Sequence, residues 1–188
     1  VRNMESYGIL DAMGLTSRIV LDANIYTMNN RAEAFWMKKG ILGDTVPLEL
    51  NAKELVHRNN KNSELTVYGY TPMMVSVQCV QKTMDHCNHA CVQYVLKDRY
   101  QKEFRGVCSC EFCYNTIYNT LPTSLLKEKE KAEKLGVKAY RLSFTTETQQ
   151  ETEKIVRAFV DVYLRGQKPD GQMQTEETTK GHFQRGVE

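Results

Sequence analysis

Short runs rich in β-branched and aromatic residues alternate with capped helical stretches along most of this chain, and that alternation limits its fold more than any other feature. "SRIVLDANIY" carries Ile19, Val20 and Leu21 into Asp22. "NNRAEAFWMKKG" follows, with Asn30 and Glu33 at the spacing of a capping box and Gly40 as the stop. "DTVPLELN" reads as a second strand, after which Asn51 and Glu54 repeat the capping spacing ahead of the short helix "AKELVHRNN". A third unit starts at "ELTVYGYTPMMVSVQC". Further on, "LPTSLLKEKEKAEKLG" predicts a charged helix capped by Thr123 or Ser124 and stopped by Gly136, and "KAYRLSF" predicts a strand. "TTETQQETEKIVRAFVDVYLRG" predicts a long helix whose Ile155, Val156, Phe159, Val160 and Tyr163 form one apolar stripe. Strands separated by helices pair in parallel through right-handed crossovers, so the expected class is α/β.

With 188 residues and 41% hydrophobic content, the chain can bury one core. Its 25 basic and 23 acidic side chains nearly cancel, which excludes the broad basic footprint of a general nucleic-acid binder. No run approaches the roughly 18 apolar residues of a membrane span, and "VRNMESYGIL" lacks the basic start and apolar core of a signal peptide. The expected location is the cytoplasm, and the valine at position 1 reads as a start that has been removed or processed. Residues 1–166 read as one domain. Residues 167–188, ending in "GHFQRGVE", have no periodic apolar face and read as a loosely held polar tail.

The six cysteines, Cys79, Cys87, Cys91, Cys108, Cys110 and Cys113, all fall in one central segment. That is a poor distribution for stapling a chain of this size with disulfides, and a favourable one for holding a metal. Cys110 and Cys113 form a CxxC pair, whose two intervening residues let both sulfurs turn toward one ion; redox motifs share this spacing. In α/β folds functional side chains gather where strands end. Here those positions hold Asp22, Asn24, Glu49, Asn51, Cys79, Thr145 and Glu147.

Several separate motifs carry a family resemblance. "PMMVSVQCVQKTMDHC", "YVLKDRYQKEF", "CEFCYNTIYNTLPTSLL", "YRLSFTTE" and "TTKGHFQRGVE" come in the order and approximate spacing of the collagenase-like U-32 peptidase family. "VLDANIYTMNNRAEAFWMKKG" and "TVPLELNAKEL" resemble it as well, so the likeness spans nearly the whole chain. It implies a TIM-like (β/α) barrel of which this chain holds the later half, with a cysteine-rich loop inserted after a strand. The open edges of a half barrel need covering, by an N-terminal segment, by a second copy or by the polar tail. Relatives in that family act in RNA base hydroxylation or oxygen-independent ubiquinone hydroxylation, and several hold an iron–sulfur cluster through four cysteines. Carried over by position, the resemblance implies Cys79, Cys87, Cys110 and Cys113 as ligands of a 4Fe–4S cluster, which takes one thiolate on each iron; zinc is the alternative. The chain departs from its shorter relatives by lacking glycines around the first cysteine pair and by having the CxxC.

Cys91 and Cys108 are then spare thiols. His86 and His89 flank Cys87 and could complete a zinc site if a cysteine fails, though histidines so placed more often read as surface or outer-sphere groups. Asp98 and Arg99 read by themselves as an exposed ion pair; the resemblance implies that Arg99 contacts an anion or holds the cysteine loop. It also marks His182 and Arg185 of "GHFQRG" as site candidates. Glu49, at a strand end, is either a general base or a partner of the following cap. No G-x-S-x-G or H-E-x-x-H motif occurs. Three functions are expected in turn: cluster-dependent hydroxylation of RNA or a small molecule, a peptidase acting on collagen-like or other peptides, and a non-catalytic zinc-stapled module.

Overall fold

A computed structural model describes residues 1–84, 87–169 and 177–186. The chain begins with α1 (Met4–Ala12), β1 (Val20–Leu21), α2 (Asn30–Lys38), β2 (Gly43–Thr45), α3 (Ala52–Leu55) and β3 (Ser63–Gly69). It continues through β4 (Pro72–Ser76), α4 (Val80–Thr83), β5 (Val92–Lys97), β6 (Glu103–Ser109) and β7 (Tyr114–Tyr118). It ends with β8 (Thr123–Ser124), α5 (Lys129–Lys134), β9 (Ala139–Ser143) and α6 (Gln149–Phe159), which runs on as a π-helical turn over Val160–Leu164.

The fold is mixed α/β. Strands β1, β2, β3 and β9 pair in parallel, as separation by helices dictates, and β8 runs antiparallel to the end of β3. The third unit departs from the expected pattern. After Gly69 the chain leaves this sheet, and β4 to β7 form a second, fully antiparallel sheet in the order β4-β7-β6-β5. Where a loop with cysteines is expected, the structure has a meander. The reason lies in the connections: β5 meets β6 through a tight turn at Asp98–Lys102, and β6 meets β7 through one short turn at Cys110–Phe112. Turns of that length join only antiparallel neighbours.

The caps show where local and tertiary preferences compete. The Asn51–Glu54 capping box forms in full. In α2 the cap is Asn29, which accepts from the Arg31 and Ala32 N–H groups. Asn30 instead reaches the loop after α3, donating to the His57 carbonyl at 3.1 Å and accepting from the Asn59 N–H at 2.6 Å. Thr123 and Ser124 do not cap a helix. The Leu125 N–H goes to the Val67 carbonyl at 2.8 Å, and the Ser124 N–H goes to the Thr179 carbonyl at 2.8 Å. Sheet pairing thus claims the residues that the charged stretch would use to start its helix, and α5 shrinks to Lys129–Lys134, with Gly136 at φ 63° as its stop.

The main core lies between the parallel sheet and α5 and α6, centred on Val46, Leu65, Val67, Leu125, Phe159 and Val162. On α6, Phe159 and Tyr163 face this core as predicted, but Val156 is 37% exposed while Ala158 and Val162 are buried. The wider π-helical turn rotates the stripe at that end. Under the sheet's start, the Asp44 and Arg58 side chains form a buried ion pair. Arg58 also donates to the Thr27 carbonyl, Asn60 Oδ1 and Ser63 Oγ, so the buried guanidinium is satisfied on every side.

The described part of the tail is docked rather than loose. Thr179 bridges to Thr123, Lys180 pairs with the buried Glu128, and Phe183 enters the main core. Composition misses this because one aromatic residue in a polar run carries the anchoring.

Candidate metal centre

The antiparallel sheet brings the thiols together. Cys79 stands at the N-cap of α4, Cys108 lies within β6, and Cys110 opens the turn between β6 and β7. These three are buried in one cluster, with Val92 and Tyr94 of β5 packed against it. Asn115 on β7 donates to the Gln78 carbonyl at 2.8 Å and so holds the residue before Cys79 against the sheet. The Cys79 and Cys108 sulfurs are 3.6 Å apart.

The sulfurs differ in acidity. The Lys82 N–H, at the start of α4, bonds the Cys79 sulfur and lowers its thiol below the ordinary value. Burial, reinforced by the Cys79 sulfur, pushes the Cys108 thiol up to about 12. Burial also raises Cys110, and the neighbouring Cys87, Cys113 and Cys79 sulfurs raise it further. Cys110 is therefore the thiol that senses the other three cysteines implied by the family resemblance.

Cys87, His89 and Cys110 offer ligand atoms that all lie within 4.8 Å of one another. This group can hold a metal ion. Cys110 supplies the buried side and His89 the solvent side. His89 (φ 57°) and Cys113 (φ 53°) both adopt the left-handed backbone region, which is uncommon away from glycine and marks the two turns that aim these residues. Cys113 is exposed, and its thiol reaches the Cys110 carbonyl at 3.6 Å. His89, which the sequence favours as outer-sphere, stands in this group with its ring nitrogen within reach of both sulfurs. The signal that could have found it is its spacing of two residues from Cys87, opposite a distant CxxC. His86 lies outside the described residues. Cys91 is exposed just ahead of β5.

The remaining candidates go elsewhere. Asp98 organises the β5–β6 turn, its carboxylate accepting from the Tyr100 and Lys102 N–H groups at 2.8 and 2.9 Å. Arg99 lies over the Tyr100 ring. The hairpin pairs Val92 with Cys108 at one end and Lys97 with Glu103 at the other, so the Asp98–Arg99 turn stands about 17 Å along the strands from the cysteines. Arg99 therefore does not hold the cysteine segment. Glu49 sits in the turn between β2 and α3, with Oε2 buried and without a hydrogen-bond partner. The tail approaches that same turn, Gly186 lying against the Asn51 side chain. His182 is exposed and pairs with the Gly186 carbonyl through Nδ1 at 2.9 Å, and Arg185 is exposed beside it. These three belong to the parallel sheet's side of the molecule.

One polar array escaped the sequence reading. Arg141 on β9 contacts Glu64 on β3 at 2.9 Å, Thr45 on β2 at 3.2 Å and Asp22 beyond β1 at 3.6 Å, crossing one face of the parallel sheet. Their positions alternate with core residues along each strand, which is the two-residue period that signals them.

Comparison of the chain with protein-family models, with curated proteins and with solved structures finds no match in any of the three.

Proposed function

We propose that this protein is a thiolate-ligated metal protein whose antiparallel sheet carries one zinc-type ion on Cys87, His89 and Cys110, with Cys113 beside the fourth position. The observation that carries this is the convergence of the three ligand atoms within 4.8 Å. Around tetrahedral zinc, with Zn–S near 2.3 Å and Zn–N near 2.05 Å, such atoms stand about 3.6–3.8 Å apart, so closure by roughly 1 Å completes the site. Two sulfurs and an imidazole select soft or borderline cations over calcium or magnesium. A zinc ion closed by a fourth protein ligand acts as a staple, and one that keeps a water there supplies Lewis-acid chemistry.

A second reading is a 4Fe–4S cluster on Cys79, Cys87, Cys110 and Cys113. The observation that favours it is that the Cys110 thiol senses all three other sulfurs. The resemblance to the U-32 family then adds hydroxylation-type modification of RNA or a small molecule. Under it, the parallel sheet is the later half of a TIM-like barrel whose interior carries the Asp22, Thr45, Glu64 and Arg141 array. A reducing compartment such as the cytoplasm suits either site. The barrel's remaining strands, or a second copy of the chain, are the expected partners. Edge strand β4 of the antiparallel sheet exposes Met73, Met74 and Val75, which favours pairing with a second copy. A peptidase rests on the resemblance alone.

The test is metal and acid-labile sulfide analysis of protein purified without oxygen. One zinc per chain without sulfide, lost in a Cys87→Ser variant, is the expected result. Iron with an equal amount of sulfide transfers the assignment to the cluster. Protein that takes up neither metal refutes both.

A further inference from the structure

Where the two sheets meet, a cleft of about 420 Å³ opens, and none of its lining residues belongs to the metal centre. Its floor is Tyr70, in the link from β3 to β4. One wall is Gln93, Val95 and Arg105, on one face of the β5–β6 hairpin, and the other is Leu121 and Pro122, in the link from β7 to β8. Seams between packed units are common ligand sites, and this volume suits a molecule of one or two rings.

One feature of the cleft asks for a ligand. Arg105 is half-buried, with its guanidinium stacked on the Tyr70 ring at 4.8 Å and donating to the buried Thr146 Oγ1 at 3.3 Å. Among the described residues it forms no ion pair: Glu103 on the rim is engaged by Lys97 at 2.9 Å, and the Glu151 carboxylate is committed to the Thr148 N–H at 2.6 Å. A stacked guanidinium whose only hydrogen bond here is a long one to a neutral hydroxyl has donors left for a planar anion, which it binds in a fork.

We infer that this cleft binds a planar aromatic carboxylate, with the carboxylate on Arg105 and the ring between Val95 of the hairpin and the Leu121–Pro122 wall. Tyr94 lies on the opposite face of the hairpin, packed on the buried cysteines, so the strands themselves separate the cleft from the thiols. The inference stands on its own residues and does not depend on which metal the cysteines hold.

The probe is 2-naphthoate, followed by its fluorescence and by calorimetry with the full chain, with neutral 2-naphthamide as the control. Saturable one-to-one binding is expected for the carboxylate. The amide and the Arg105→Met variant should each bind at least ~10-fold more weakly, the loss expected for one charge-assisted hydrogen-bonded contact. The amide comparison uses the parent protein, so it stands even where the variant folds poorly. Absence of saturable naphthoate binding, equal affinity for acid and amide, or unchanged affinity in a folded Arg105→Met variant each overturns the inference.

Discussion

Gly106 and Tyr94 face each other across the β5–β6 hairpin, and a single methyl group placed there probes the cover over the cysteines. A Cβ on Gly106 would lie 2.3 Å from two Tyr94 ring carbons and 2.8 Å from the hydroxyl oxygen. Ordinary carbon–carbon contact is about 3.5–4.0 Å, so Gly106→Ala drives the ring back by roughly 1.2–1.7 Å. The ring already packs on the cluster of Cys79, Cys108 and Cys110, so its displacement disturbs the packing of the thiols. Overpacking of this kind costs about 1–3 kcal/mol, and the lower backbone entropy of alanine returns ~0.5–1 kcal/mol. The net expectation is a loss of up to about 2.5 kcal/mol, read as a lower urea midpoint at an unchanged slope. Cys108 should become easier to alkylate, while naphthoate binding on the opposite face should hold. A variant as stable as its parent, with Cys108 still protected, would refute the view that Tyr94 covers the thiols.

Other outcomes test other parts of the molecule. Because Cys110 is a protonated thiol without metal, zinc binding must displace its proton, so apparent zinc affinity should fall as pH is lowered, by up to about tenfold per unit per thiol, in a chelator competition; a flat profile contradicts the ligand assignment. With its thiol pushed up to about 12, Cys108 holds on the order of 1 part in 10,000 as thiolate at pH 8, so mass-mapped alkylation of metal-free protein should label Cys87, Cys91 and Cys113 first. Asp44→Asn strands the buried Arg58 charge and should cost about 3–5 kcal/mol in urea unfolding; a loss under 1 kcal/mol would mean that the pair is hydrated. Burial would raise the Glu128 carboxyl, but Lys131 and Lys180 outweigh it and hold it below the usual range. Its contribution is therefore present above the ordinary carboxylate value and lost as pH falls through the lower folded value, so the hydrogen-exchange protection factors around Phe183 should hold above the ordinary carboxylate range and fall below it.

The parallel sheet was legible because β1, β2 and β9 are each followed by residues that start a helix, as Asn51 and Glu54 do with both halves of their box. The second sheet was not, because Pro72–Ser76 and Val92–Lys97 have strand composition, and nothing local says with which neighbour they pair. Cap assignment failed where a side chain had a better offer at distance, as Asn30 has in the loop at His57 and Asn59. Of the site, the clustering of the cysteines pointed to metal binding, while His89 looked ordinary because its role depends on a turn that folds it back over Cys110. Arg105 gave no signal at all. Its significance comes from Tyr70 and Thr146, which lie 35 residues before it and 41 after it in sequence and meet it only through the fold.

The chain leaves the parallel sheet at Tyr70–Thr71 and returns to it at Asn119–Pro122, and the Asn119 N–H bonds the Thr71 carbonyl at 2.9 Å. Departure and return thus share one point, where β3 and β8 already run antiparallel, as the arms of a hairpin do. Topologically, everything between is a cassette plugged into the tip of that hairpin. A short turn in its place would leave the parallel strands and their helices with every one of their own pairings. Scaffold and cysteine cluster are therefore separable inheritances. The cassette can be lost, exchanged or elaborated without redesigning the core beneath it, while the cleft at the seam exists only when both are present.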